Sequence, residues 1–430
     1  LIAGARLPLE QDGGAGGHMQ RSIDHFPIAR VGADVLDRYF LPNGRTAGQP
    51  YKMLPMYKQR VSVARQQITM LANFVEVYLA KENHDGIVGI NLLTKVQMPN
   101  LASLCGAMLA GVDYVLMGAG IPREIPGALD ALAAHSATSL KFDVEGLQGG
   151  EAEYLSFDPQ AHGVDSSLPL KRPGFIAIVA ASSLAATLAR KATGRVDGFV
   201  VEGPTAGGHN APPRGEQRLN DRGEPIYGER DVVDLTRMAE LEVPFWIAGG
   251  AGSPSGISDA IASGATGIQV GTLFAYCDES GIDETLRRET LYHAARGEVK
   301  VTTDPRASPT GYPFKVVSWP GSDLPPRTRK CDLGYLRTAY RDADGRIGYR
   351  CPAEPVDAYV RKGGALADTE RRQCLCNGLT ANIGQPQLRA GGFEEPPLLT
   401  SGDDLLNIRT FLGTRTRYTA QDVVHYLLGH

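Results

Sequence analysis

The chain has 430 residues, 42% hydrophobic and 21% charged, and its 44 basic and 48 acidic residues give a formal net charge of -4. The two signs are interspersed, which leaves no electrostatic footprint for nucleic acid, and no run of 18 apolar residues offers a membrane span. Six cysteines are too few for a disulfide scaffold at this length. The first nine residues lack the basic flank and apolar length of a secretory leader, so a cytoplasmic location is the default expectation.

In chain order, residues 1–4 read as a short strand. Residues 6–85 read as an expanded connection, rich in Pro, Gly and polar residues, that ends in a helix over 70–81. From there short apolar runs at 88–92, 114–117, 175–180, 198–202, 245–248 and 267–270 alternate with helical patterns at 101–110, 127–134, 183–191, 232–241 and 255–262. Strand alternating with helix predicts a parallel sheet. Glycines just after strands, among them Gly118, Gly203, Gly249 and Gly271, mark one active face at the strand ends.

The expected fold class is therefore α/β, a (β/α)8 TIM barrel. Seven strands are counted, so the first barrel strand is expected to be absent from this chain. Residues 139–143 and 153–157, flanking Gly146, Gly149 and Gly150, predict a hairpin laid beside the barrel. The barrel is assigned to 1–300, with insertions at about 6–85 and 139–172. A cysteine-containing extension packed on the barrel is assigned to 301–430, ending in a helix over 420–428.

Two stretches carry the chemistry. In Phe199-Val200-Val201-Glu202-Gly203-Pro204-Thr205-Ala206-Gly207-Gly208-His209 a buried strand runs into a small-residue loop that presents one histidine at the barrel mouth. Small residues let a flat ring approach the backbone, and imidazole can take a proton from a weakly acidic carbon; the alternative is a solvated loop histidine. In Phe245-Trp246-Ile247-Ala248-Gly249-Gly250-Ala251-Gly252-Ser253 a strand meets a glycine turn that opens a helix, the geometry that receives a phosphate on exposed amides. The next strand ends in Gln269-Val270-Gly271-Thr272, so two strand ends can converge on one phosphate.

With Gly89-Ile90-Asn91, Ala206-Gly207-Gly208-His209, Ala248-Gly249-Gly250 and Gly271-Thr272 in this order, each at a strand end, the sequence resembles nitronate monooxygenases. It is also similar to their relatives among FMN-dependent enoyl-acyl carrier protein and quinone reductases. The resemblance covers residues 88 to about 275. It implies FMN as cofactor and His209 as catalytic base. It further implies a cofactor site of Asn91, Gly207, Gly208, Ala248, Gly249, Gly250, Gly252, Gly271 and Thr272. The implied reaction is oxidation of alkyl nitronates with dioxygen, the alternative an NAD(P)H-dependent reduction of enoyl thioesters or quinones. Thr205 stands where the family carries a glutamate, and Asn210-Ala211-Pro212-Pro213 follows the histidine where a glycine is usual. A non-catalytic barrel serving as a binding or scaffolding subunit is the reading from another class.

Cys331, Cys351, Cys374 and Cys376 all lie in the C-terminal region. Four thiolates can bind zinc or an iron–sulfur cluster. Their separations are irregular and Cys374-Leu375-Cys376 is tighter than a usual knuckle, so no metal is assigned and buried unligated thiols are expected. Lys315, in the loop 308–315, could reach an anionic substrate, but an exposed lysine there needs no function, and no role is assigned to it.

Overall fold

A computed structural model describes residues 17–44, 46, 48–323, 327–389 and 391–429. The strand expected over 1–4 lies outside the described residues. Six strands form one parallel sheet: β1 (Gly89–Leu93), β2 (Tyr114–Gly118), β6 (Gly174–Val179), β7 (Gly198–Glu202), β8 (Phe245–Ala248) and β9 (Gly267–Gln269). They neighbour one another in the order β1-β2-β6-β7-β8-β9, without the reversal that marks a doubly wound sheet. Strands that follow chain order, each next to the last, build the wall of a barrel, here over six of its strands.

Strand alternation divides the sheet into two apolar faces. Ile90, Val115, Met117, Phe175, Ala177, Phe199, Val201 and Phe245 join the main core, where they share one cluster with Leu104 and Met108 of α4 (Asn100–Leu109), Leu129 of α5 (Ile125–Ala133) and Leu188 of α6 (Ser182–Lys191). The opposite parity, Ile176, Val200 and Ala248 with Leu116, Ile178 and Trp246, forms a second cluster on the inner face. Apolar residues on both faces are the reason these segments read as continuous runs in the sequence.

Ahead of the sheet, the expanded connection contains α1 (His18–Asp24), α2 (Ala29–Tyr39) and α3 (Val63–Lys81). The last begins seven residues before the sequence pattern suggests because Ser62 caps it, its Oγ accepting from the Arg65 amide at 3.3 Å. Helix α3 lies so close to α4 that a Cβ on Gly106 would meet the Met70 carbonyl at 2.1 Å. The helix expected over 232–241 shortens to α7 (Leu235–Ala239), since Asp234 caps it and Glu242 takes a positive φ of 53°.

The predicted hairpin is present, with β3 (Thr138–Phe142) antiparallel to β5 (Glu153–Phe157) in a ribbon of its own. Between them the short β4 (Val144–Glu145) pairs with β12 (Thr338–Arg341), which in turn pairs with β13 (Ile347–Arg350). After β9 come α9 (Thr272–Ala275), α10 (Glu284–Ala295), and the antiparallel pair β10 (Lys300–Asp304) and β11 (Phe314–Ser318). Helix α8 itself spans Pro254–Ala262; α11 (Val356–Arg361), α12 (Leu375–Ala381), α13 (Ile408–Leu412) and α14 (Ala420–Leu428) complete the chain. Among the described residues no helix is long and apolar enough to cross a membrane.

Candidate active site

The loop after β7 turns at Gly208, whose φ is +79°, and delivers His209 into an antiparallel bridge with Phe314 of β11. Backbone hydrogen bonds fix it on both sides: the Lys315 amide donates to the Gly208 carbonyl at 2.8 Å and the Asn210 amide to the Pro313 carbonyl at 3.0 Å. The Phe314 ring stands edge-on to the imidazole with centroids 4.9 Å apart.

His209 Nε2 lies 2.7 Å from the Ser308 hydroxyl and 3.3 Å from that of Thr310, and the two hydroxyls are 2.8 Å apart. The Thr310 hydroxyl also accepts from Lys95 Nζ at 3.4 Å, and this ammonium sits 3.7 Å from the centre of the Tyr312 ring. Lys95 follows the end of β1. Burial lowers its pKa to about 7. Burial, with the neighbouring Lys95 second, lowers that of His209 to about 3. The imidazole is thus neutral at ordinary pH and available as a proton acceptor.

On the inner face Glu202, Ala248 and Gln269 stand in register at the ends of β7, β8 and β9. Burial raises the Glu202 carboxyl to about 7. Gln269 Oε1 is buried and, among the described residues, receives no hydrogen bond. Such an acceptor at the strand ends is suited to a polar ring that brings its own donor.

Gly249 and Gly250 both take positive φ, +85° and +74°. A Cβ on Gly249 would meet the Ala206 amide nitrogen at 2.6 Å, so glycine lets this turn lie against the histidine loop. Ser253 then caps α8, its Oγ accepting from the Gly256 amide at 3.0 Å. The amides of Gly250 and Gly252 face the carboxylate of Asp404, and a Cβ on Gly252 would meet its Oδ2 at 3.0 Å. Burial holds the Asp404 carboxyl above the ordinary carboxylate range despite those donors. The turn therefore receives an oxyanion, as the sequence suggests, and in this structure the oxyanion is a side chain of the same protein.

Asp404 belongs to a strap that ties the expected pieces together. The Gly208 amide donates to Thr400 Oγ1 at 2.9 Å, the Gly402 amide to Thr272 Oγ1 at 3.1 Å and the Asp403 amide to the Thr205 carbonyl at 2.9 Å. Gly207 packs on the strap backbone, where a Cβ would meet the Gly402 nitrogen at 2.8 Å. Gly271 immediately precedes α9 and opens onto free space. Thus His209, Gly207, Gly208, Ala248, Gly249, Gly250, Gly252, Gly271 and Thr272 converge, whereas Asn91 is exposed on β1 with β2, β6 and β7 between it and β8.

Lys315 corrects the sequence reading. It is 4% exposed and its Nζ donates to Asp403 at 2.7 Å, so it neutralises the strap instead of greeting a substrate. Lys95, Ser308, Thr310 and Asp404 were not singled out from the sequence. Lys95 alone left a signal there, being a cation just past a strand end in Leu93-Thr94-Lys95.

The family model described as nitronate monooxygenase matches residues 125–309. The chain is 34% identical over 147 residues to a nitronate monooxygenase of Paraburkholderia phytofirmans, covering 33% of this chain and 37% of that protein. It is 32% identical over 139 residues to a probable nitronate monooxygenase of Bacillus subtilis, covering 32% and 38%. These matches span a little over a third of the relatives' length. Among solved structures, FabK from Thermotoga maritima aligns with a TM-score of 0.45 at 16% identity, over 84% of this chain and 80% of that one. Nitroalkane oxidase from Streptomyces ansochromogenes aligns with a TM-score of 0.39 at 15% identity, over 99% and 91%. The stretch that the nitronate monooxygenase model matches, 125–309, holds the histidine loop, both glycine turns and the Ser308 hydroxyl.

Proposed function

We propose that the protein is an FMN-dependent oxidoreductase that oxidises alkyl nitronates with dioxygen, with His209 as its base. The observation that carries this reading is a neutral, half-buried imidazole held by Ser308 beside a glycine turn whose Gly250 and Gly252 amides face a carboxylate. The residues fit the flavin: Gly249, Gly250, Gly252, Gly271 and Thr272 would hold its phosphate once Asp404 yields the amides, and Gln269 Oε1 offers an unmet acceptor. A flavin held there would supply the redox chemistry, with dioxygen as its acceptor.

What the chain supplies is proton handling and charge. A neutral His209 removes the proton from the carbon next to a nitro group, and the resulting imidazolium is stabilised by the Ser308 and Thr310 hydroxyls. The nitronate formed is an anion, and protonated Lys95, whose Nζ donates to the Thr310 hydroxyl, is the cation beside this hydroxyl pair. Packing of β11 and the strap over the loop limits water around the imidazole.

The test is the visible spectrum of the purified protein, before and after adding FMN, followed by anaerobic addition of a nitronate and separately of NADH or NADPH. Bleaching of a flavin band by nitronate alone supports the proposal. Bleaching by reduced nicotinamide alone would assign a reductase of enoyl thioesters or quinones, and failure to bind FMN at all would leave a binding subunit.

The pH dependence follows from Lys95. Its lowered pKa means the ammonium is present below about pH 7 and lost above it. KM for an anionic nitronate is therefore expected to rise as pH increases through 7, and Lys95→Met should abolish that rise by making KM uniformly high. His209 titrates near 3 and adds no inflection in the neutral range. A KM that stays level through pH 7 in the unaltered protein would remove Lys95 from substrate binding.

A further inference from the structure

The six cysteines divide in two. Cys105 is buried on α4 with its thiol pushed up to about 12 by burial, and Cys277 is buried with its Sγ donating to the Phe274 carbonyl at 3.1 Å. The remaining four, which are 20, 23 and 2 positions apart in sequence, meet in space. Cys331 lies ahead of β12, Cys351 directly follows β13, Cys374 precedes α12 and Cys376 lies in its first turn. All four line one small pocket, together with Pro309 and Arg337. Cys331 neighbours Cys351 and Cys374 neighbours Cys376, all four as free thiols, and Cys376 lies within electrostatic reach of both members of the other pair.

We propose that Cys331, Cys351, Cys374 and Cys376 are the four ligands of a tetrathiolate metal centre, either one zinc ion or one iron–sulfur cluster. As the side chains stand, the thiols form two neighbouring couples, and no three ligating residues among those described close a shell around a point. Closing it takes rotation of the side chains into the pocket they share, since zinc–sulfur bonds of about 2.3 Å in a tetrahedron require neighbouring sulfurs about 3.8 Å apart. Each thiol gives up its proton as its sulfur binds the metal.

The surroundings match such a centre in charge and in support. Four thiolates around a divalent ion leave a net charge of about -2, which needs nearby cations. Arg327 faces Cys374 and Cys351, and Arg329 faces Cys351. Among the described residues Arg329 spends its donors on the carbonyls of Pro352 at 3.0 Å and Thr369 at 2.6 Å instead of on a carboxylate. Asn377 Nδ2 lies 3.5 Å from Cys374 Sγ and 2.6 Å from Asp332 Oδ1. Asp332, Arg389, Glu395 and Arg327 continue this as a buried ion-pair network, the kind of outer shell that orients metal ligands.

The centre also reaches the proposed active site. Gln373, next to Cys374, donates its amide to the Ala307 carbonyl at 2.9 Å, and Arg372 Nη1 donates to the carbonyls of Arg306 at 2.9 Å and Ser308 at 2.5 Å. Fixing Cys374 therefore fixes the loop whose Ser308 and Thr310 hydroxyls face His209.

The experiment uses the full chain, expressed with zinc and iron both supplied, purified without chelator and under nitrogen, and assayed for metals and acid-labile sulfide. One zinc per chain without sulfide, or iron and sulfide in equal amounts, supports the proposal and tells the two centres apart. Because a Cys351→Ser or Cys376→Ser chain can fail to fold, the unaltered protein is also titrated with a mercurial, where metal should be released in step with the modification of four thiols. Cys277→Ala should keep the full metal content. Protein free of both metals with four accessible thiols, or with disulfides among the four cysteines, would overturn the proposal. The metal assay is independent of turnover, so it stands or falls separately from the flavin reading.

Discussion

His209→Asn is expected to retain bound flavin while losing about 10²- to 10⁴-fold in turnover of a neutral nitroalkane, the range set by loss of a positioned base. The amide keeps the size of the side chain and a donor for the Ser308 hydroxyl, so the loop pinned by Phe314 and Lys315 should hold its place. A preformed nitronate needs no proton removed, and its oxidation should therefore suffer much less. Steady-state rates with the two substrates, alongside the flavin-to-protein absorbance ratio, separate the effects. Equal, unchanged turnover of the nitroalkane would take His209 out of the mechanism.

Asp404→Ala is expected to tighten FMN binding by about ten- to a hundredfold. In the unaltered chain a carboxylate faces the Gly250 and Gly252 amides, so a phosphate must displace it and apparent affinity falls by the fraction of chains in which the amides are free. Two amides facing one carboxylate, offset by the desolvation that raises the Asp404 carboxyl, make a ratio of that size reasonable. The same logic gives a pH effect: because the carboxyl is raised, lowering the pH neutralises Asp404 earlier than an ordinary aspartate and frees the amides for phosphate. Fluorescence titration of the flavin at two pH values measures both. Unaltered affinity in the alanine variant would mean that the phosphate does not use these amides. Asp403 is the wrong residue to change, because it neutralises the buried Lys315 and its loss would strand that charge.

Much of the frame was legible before any coordinates. The runs that became β1, β2, β6, β7, β8 and β9 fall within about one residue of their observed bounds, because strands buried on both faces leave uninterrupted apolar stretches. The hairpin of β3 and β5 and helix α14 were equally readable from alternation and from turn residues. Helices α1, α2 and α10 went unread, and so did β10 to β13. Strand β12 shows why: only four residues long, it finds its edge partner in β4, nearly two hundred positions earlier.

The sequence by itself determined the order of strands and helices, the glycine turns at Gly249 and Gly271, and the small-residue loop ending in His209. Those are local properties, fixed by side-chain periodicity and, at Gly249, by a positive φ that glycine adopts without strain. Tertiary structure decided what surrounds them. Lys95, His209, Ser308 and Asp404 are scattered over three hundred positions, and their pKa values, their partners and the occupant of the phosphate turn follow from burial and distance. So does the gathering of four irregularly spaced cysteines around one pocket, since thiol chemistry depends on which sulfurs the folded chain brings within reach.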